Sequence, residues 1–219
     1  SFEITDIPLI RKAAETGKPI IISTGIAYKE DIEEALKTCE EAGNRQVILL
    51  KCSSAYPSPY EDINLKSIEK IAEDFQCITG LSDHTMGSAV AVAGVALGAK
   101  VVEKHLTLNR ADGGPDGAFS MEPREFKEMV DNIRMVEKAM GTATYDLTEK
   151  QKSSREHSRS LFVVLDMKKG DMITGQNVRS IRPSCGLHTR YFNTILGKRV
   201  NRDLESGTPM SLDYLEDQP

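Results

Sequence analysis

Apolar and polar positions alternate between two periods along the chain up to about residue 141. Residues 19–23, 46–52, 77–82 and 101–105 are stretches of strand length, each holding a short apolar run. Between them the apolar positions recur at helical spacing. Residues 5–16 carry Ile7, Leu9, Ile10 and Ala14 toward one side, and Gly17 stops the helix. Residues 29–42 set Ile32, Ala35, Leu36 and Cys39 in a stripe, with Glu30, Asp31, Glu33 and Glu34 at the positive helix start. Residues 64–75 turn Leu65, Ile68, Ile71 and Ala72 inward. Residues 87–98 are nearly all small and apolar, which predicts close packing. Residues 123–140 carry Phe126, Met129, Val130, Ile133, Val136 and Met140 as a stripe, ended by Gly141.

Residues 1–4 read as the tip of one more strand. A strand tip and four strands, each followed by a helix, imply a parallel sheet covered by helices, an α/β fold. A closed eight-stranded barrel takes about 200–250 residues, and about 140 precede the change of pattern. Residues 1–141 therefore read as the C-terminal half of a TIM (β/α)8 barrel. The chain starts at Ser1 rather than Met, and the expectation is that upstream sequence is missing.

Beyond Gly141 the chain turns polar, and residues 142–159 read as a linker, partly helical at most. Residues 160–219 change period again. Strands are predicted at 160–164 and 178–182, extended pieces at 196–200 and 209–210, with turns at 168–171 and Gly207. Short strands and little helix describe a β-rich module too small to be robust alone, predicted to dock on the barrel or on a second chain.

Composition narrows the function. The chain is 39% apolar and 28% charged, ordinary for a globular protein, and its formal charge of −5 argues against nucleic acid and against a membrane surface. No apolar run approaches the ~20 residues that span a bilayer. Cys39, Cys52, Cys77 and Cys185 form no CxxC pair, and read as reduced thiols of a cytoplasmic protein.

The candidate chemistry lies in two blocks, Gly80-Leu81-Ser82-Asp83-His84-Thr85 and Val101-Val102-Glu103-Lys104-His105. Each ends a predicted strand in a histidine, and a helix separates them. A right-handed crossover makes the strands parallel and brings both histidines to one sheet edge, where α/β enzymes build their sites. Two imidazoles there, with Asp83 and Glu103 nearby, could hold a divalent metal with open positions, Mn²⁺ or a similar Lewis acid. The bland alternative is that each histidine caps its strand. The other predicted strand ends supply Ser1, Glu3, Ser23, Ser54, Tyr56 and Ser82. Hydroxyls at several ends suit an anionic substrate such as a phosphate, and Glu3 or Glu103 could handle protons. Singly, each has a plainer reading: Ser as a turn residue, Tyr56 as a packed loop anchor, Glu103 as an orienting group, Asp116 as a turn former in a flexible loop over 109–120, and Arg182 as a surface residue.

These residues carry a resemblance. Ser1-Phe2-Glu3, residues 18–25, Tyr56-Pro57 with Glu61-Asp62, the two histidine blocks and Gly114-Pro115-Asp116 resemble the sialic-acid synthases, and residues 113–123 look most like their pseudaminic-acid branch. Residues 160–215 resemble the antifreeze-like module (SAF, β-clip) that ends those enzymes. The resemblance implies condensation of phosphoenolpyruvate with an N-acetylated amino sugar, by metal-assisted attack and C–O cleavage. It implies His84 and His105 as ligands of Mn²⁺, with Mg²⁺ or Co²⁺ as alternatives. Ser1, Ser23, Ser54 and Ser82 would line the phosphoenolpyruvate pocket. Glu3, Tyr56 and Asp116 would face the sugar, and Glu103 would lie close to the metal. Arg182 would reach the partner's site in a domain-swapped homodimer. Two departures stand out: Ser54 replaces an Asn common in N-acetylneuraminate synthases, and the family's first strands, with their basic residues, are absent. The expectation is that the isolated chain is inactive. N-acetylneuraminate or legionaminate synthesis, and a non-catalytic carbohydrate-binding protein, remain as alternatives.

Overall fold

The computed structural model describes residues 1–216, so the last three residues of the predicted β module lie outside the described residues. It divides into two compact units, Ser1–Thr142 and Ala143–Pro219.

In the first unit β1 (Ile20–Ser23), β2 (Val47–Cys52), β3 (Ile78–Asp83) and β4 (Val101–Lys104) form one parallel sheet in sequential order. The connections carry α1 (Ile7–Ala14) before β1, α2 (Lys29–Glu41), α3 (Ser67–Phe75) and α4 (Ala89–Ala96), and α5 (Pro123–Met140) follows β4. Strand alternation decides which side chains meet the helices. Ile22 and Leu49 join Ile4, Ile10, Ala14, Ile32, Ala35 and Cys39 in one cluster, Leu81 joins Ile68, and Val102 packs beside Met129 and Ile133. On the opposite face Ile21 and Ile78 are exposed. Gly80 lets β4 approach β3: a Cβ there would stand 2.4 Å from the Val101 carbonyl oxygen. The arrangement is that of half a (β/α)8 barrel.

Three expectations about the elements of this unit need correction. Residues 1–4 are not a strand tip. Phe2–Thr5 is a 3₁₀ turn closed by Asp6 N–H on the Glu3 carbonyl at 2.9 Å, with Ile4 buried beneath it. Among the described residues no strand lies beside the outer edge of β1, so this backbone bonds to itself. The third helix starts at Ser67, not 64, because Asn64 sits at φ 50, outside the helical region. The stripe of α5 is narrower than its spacing implied: Met129 and Ile133 are buried, whereas Val130 and Met140 are exposed.

The second unit contains α6 (Glu149–Arg155), within the stretch read as a linker, and a small antiparallel sheet. Its order is β6 (Val178–Ile181), β5 (Ser160–Val163), β7 (Leu187–His188). Leu161, Val163, Met167, Ile173, Val178, Ile195, Val200, Leu204 and Met210 make its core. Residues 196–200 do not form the expected extended piece. α7 (Phe192–Ile195) ends beside Gly197 at φ +80, and the chain then makes single bridges, Met172 with Arg199 and Val200 with Leu215. Residues 209–210 likewise add one bridge, Phe162 with Pro209.

Candidate active site

Parallel pairing puts the carboxyl ends of β1 to β4 on one edge. Ser82 pairs in register with Glu103, and Asp83 with Lys104. The next residue on each strand is a histidine, so the register alone sets His84 beside His105. Their ring centroids lie 5.1 Å apart at 83°. Ser82 Oγ donates to Glu103 Oε1 at 2.7 Å and stands 3.5 Å from His84 Nε2. His84 Nδ1 meets the Ser53 carbonyl oxygen at 2.9 Å. A carbonyl only accepts, so Nδ1 carries a hydrogen, and Nε2 is the ring atom that faces the Ser82 side. Backbone-oriented imidazoles of this kind are the ordinary supporting arrangement of metal-binding histidines.

Beneath His84 lies Cys52, its Sγ 4.0 Å from Nδ1. Burial pulls His84 toward its neutral form, but the Cys52 thiol, the Ser53 carbonyl and Asp83 outweigh it and raise the pKa. Burial pushes the Cys52 thiol up, yet the His84 imidazole together with the Ser82 and Ser1 hydroxyls outweighs it and the net shift is downward. Rings enclose the pair. Tyr56 lies 4.3 Å from His84 and 5.9 Å from His105, centroid to centroid, and Phe119 lies 5.0 Å from His105. Asp116 Oδ2 is 3.5 Å from His105 Nδ1.

Ser1 and Ser54 hydrogen-bond through their hydroxyls, close against Gly25, where a Cβ would stand 2.1 Å from Ser54 Oγ. Ser1, Glu3, Ser23 and Glu103 share one groove with Ile21 at the β1 edge. The structure therefore gathers His84, His105, Ser82, Glu103, Tyr56 and Asp116 in one cluster, with Ser1, Ser54, Glu3 and Ser23 along its flank. Arg182 follows β6 in the second unit. Residues 109–120 are more tied down than the flexible loop expected: Arg110 donates to the Ser120 carbonyl and Glu122, and pairs with Glu125.

Asp83 is a correction. It does not stand near the imidazoles as a further donor. Alternation turns it to the helix side, where Lys104 Nζ meets Oδ2 at 2.8 Å and Thr85 donates twice to Oδ1. Among the described residues no group of three or more His, Cys, Asp or Glu side chains is placed to hold an ion. The donor set is two imidazoles, that of His84 oriented by the Ser53 carbonyl and that of His105 lying 3.5 Å from Asp116, which fits a cation that keeps its remaining positions open. Sequence reasoning missed Cys52 and Phe119 in this cluster. Alternation along β2 could have found Cys52; nothing local marks Phe119, which arrives by folding of the loop.

The model of the NeuB family matches residues 1–145, and that of the SAF domain matches residues 158–216. Pseudaminic acid synthase of Helicobacter pylori is 43% identical over 217 residues, covering 99% of this chain and 64% of that protein. Pseudaminic acid synthase of Campylobacter jejuni is 44% identical over 207 residues, covering 94% of this chain and 60% of that protein. The chain thus spans less than two thirds of the length of these relatives. The crystal structure of N-acetylneuraminic acid (sialic acid) synthetase from Leptospira borgpetersenii aligns with TM-score 0.64 at 31% identity, over 69% of this chain and 53% of that one. The fold is thus a half-barrel of four parallel strands, followed in sequence by a SAF domain. On the family match, which takes in the whole first unit and both histidine blocks, the chain belongs to the NeuB family.

Proposed function

We propose that the protein carrying this chain condenses phosphoenolpyruvate with a 2,4-diacetamido-2,4,6-trideoxy-altrose type sugar, giving pseudaminic acid and phosphate. One observation carries the reading: two imidazoles 5.1 Å apart at the carboxyl ends of adjacent parallel strands. The pseudaminic acid synthases of similar sequence support the choice of sugar. Residues 1–141 are the barrel portion, 142–159 a linker and 160–219 the antifreeze-like domain.

His84 and His105 hold a divalent cation, Mn²⁺ first, with Mg²⁺ or Co²⁺ as substitutes. A cation held there would supply Lewis-acid polarisation of the open-chain sugar's aldehyde. Ser1, Ser23, Ser54 and Ser82 direct hydroxyls at the phosphate and carboxylate of phosphoenolpyruvate. Glu3, Tyr56, Asp116 and Arg182 hold the sugar, and Arg182 serves the partner's site in a domain-swapped homodimer. C3 of phosphoenolpyruvate attacks the aldehyde carbon. Water then adds at C2, Glu103 takes its proton and passes it to the alkoxide oxygen left by the aldehyde, and the remaining C2 hydroxyl proton leaves with phosphate as the C2–O bond breaks. Reduced thiols at all four cysteines accord with a cytoplasmic setting. Among the described residues no helix is long and apolar enough to cross a membrane.

Turnover of phosphoenolpyruvate labelled with ¹⁸O at C2, with Mn²⁺ and the diacetamido sugar, tests the chemistry. The label is expected in the released phosphate; its retention in the sugar acid overturns C–O cleavage. Faster turnover of N-acetylmannosamine than of the altrose-configured sugar overturns the substrate. Mixing inactive His84→Ala and Arg182→Ala proteins is expected to restore part of the activity, since one of the two composite sites of a mixed dimer then holds both native residues while the other carries both defects. No restoration overturns the swapped dimer.

A further inference from the structure

We infer that Asp83 and Lys104 are positioning residues that hold the two imidazoles side by side, an inference resting on the proposed metal role of His84 and His105. The two blocks read Ser82-Asp83-His84 and Glu103-Lys104-His105. Alternation sends Ser82 and Glu103 to one face and Asp83 and Lys104 to the other. There the pair is sealed, with side chains 0% and 2% exposed. Lys104 Nζ reaches Asp83 Oδ2 at 2.8 Å and the Thr85 carbonyl oxygen at 2.7 Å. Thr85 in turn donates its N–H and its hydroxyl to Asp83 Oδ1, at 2.9 and 2.7 Å.

Both chain neighbours of His84 are therefore fastened to the residue that precedes His105. His84 projects from the middle of that three-residue turn. A slip of one residue between β3 and β4 would send one histidine to the wrong face. A small tilt of the turn would also matter, because a shared cation tolerates about 0.5 Å of ligand misplacement. Burial of an ion pair is a poor source of stability, and apolar pairs often replace one without loss. What an apolar pair does not supply is this directional link across two strands.

The test separates positioning from stability. Lys104→Met alone strands a buried carboxylate and is expected to fold poorly. The double variant Asp83→Asn/Lys104→Met leaves no buried charge, and the Asn oxygen still accepts from Thr85. Three quantities are read on the whole chain: thermal midpoint, nuclear Overhauser contacts between the two imidazoles without metal, and Mn²⁺ affinity. The double variant is expected to stay folded, lose the inter-ring contacts and bind Mn²⁺ at least tenfold more weakly. Thr85→Val removes only one hydrogen bond of the cluster and is expected to weaken Mn²⁺ several-fold while the chain stays folded with a modestly lowered midpoint. Wild-type ring contacts and Mn²⁺ affinity in a folded double variant, or in Thr85→Val, overturn the inference. If wild-type Mn²⁺ binding survives His84→Ala, the metal role itself fails, and the ring contacts alone still decide whether the pair positions the imidazoles.

Discussion

The two units bury different chemistry. The first seals Ser82, Asp83, His84 and Thr85 beside one another, with Thr24, Ser58, Thr79 and Ser120 also buried. The second has an almost wholly apolar interior, with Ser160 its buried polar side chain among the described residues. Ser160 accepts the Gly186 N–H and donates to the Pro183 carbonyl, so it holds backbone rather than lining a site. Buried polar groups are costly unless every one is bonded, and in the first unit every buried side-chain polar atom has a partner among the described residues. The contrast teaches that the first unit is built around a bonded polar network at its strand ends. The second is a small apolar core closed by single bridges.

Four experiments sharpen or break that contrast. Lys104→Met is expected to do most: it leaves Asp83 buried without its cation, a loss of about 3–5 kcal/mol. Hydrogen exchange should show protection lost in β3 and β4. A loss below about 1 kcal/mol breaks the claim that polar burial governs the first unit. Next, Leu161→Ala empties a fully buried position in the second unit and should cost about 2–4 kcal/mol. A core so small supplies about 3–5 kcal/mol in all, so denaturant titration should find that unit largely unfolded.

A smaller effect follows from Ser82→Ala, which removes the 2.7 Å bond to Glu103. Glu103 is exposed, so stability should fall by only about 1 kcal/mol, while Mn²⁺ affinity and turnover report the change more strongly. Smallest is Asp203→Asn on the second unit's surface. The Lys168 ammonium, then the Lys169 N–H, hold the Asp203 carboxyl below its ordinary pKa. Its contribution is present above the unfolded-state value and fades as pH falls through the lowered one. The Asn variant should flatten that acid limb of the melting curve; an unchanged limb shows the pair contributes nothing measurable.

Much of the first unit is legible because its signals are local. The runs that became β1 to β4 are bounded by glycine and by helical stripes, and the histidine blocks carry their own alternation. The second unit reads less well, since its pieces make isolated bridges to partners distant in the chain, such as Met167 with Leu204. No period marks such pairings. Asp83 was misplaced for a related reason: a carboxylate beside a histidine in sequence lies on the opposite face of a strand.

The amino-acid sequence by itself determined the β/α order, the parallel sheet and the arrival of two histidines at one edge, because each follows from periodicity and crossover handedness. Only the tertiary structure decided that Asp83 serves Lys104, that Cys52 and Phe119 border the imidazoles, and that Phe2–Thr5 curls into a 3₁₀ turn. Those outcomes depend on which groups remain to satisfy one another after the strands have paired, and that is settled between residues far apart in the chain.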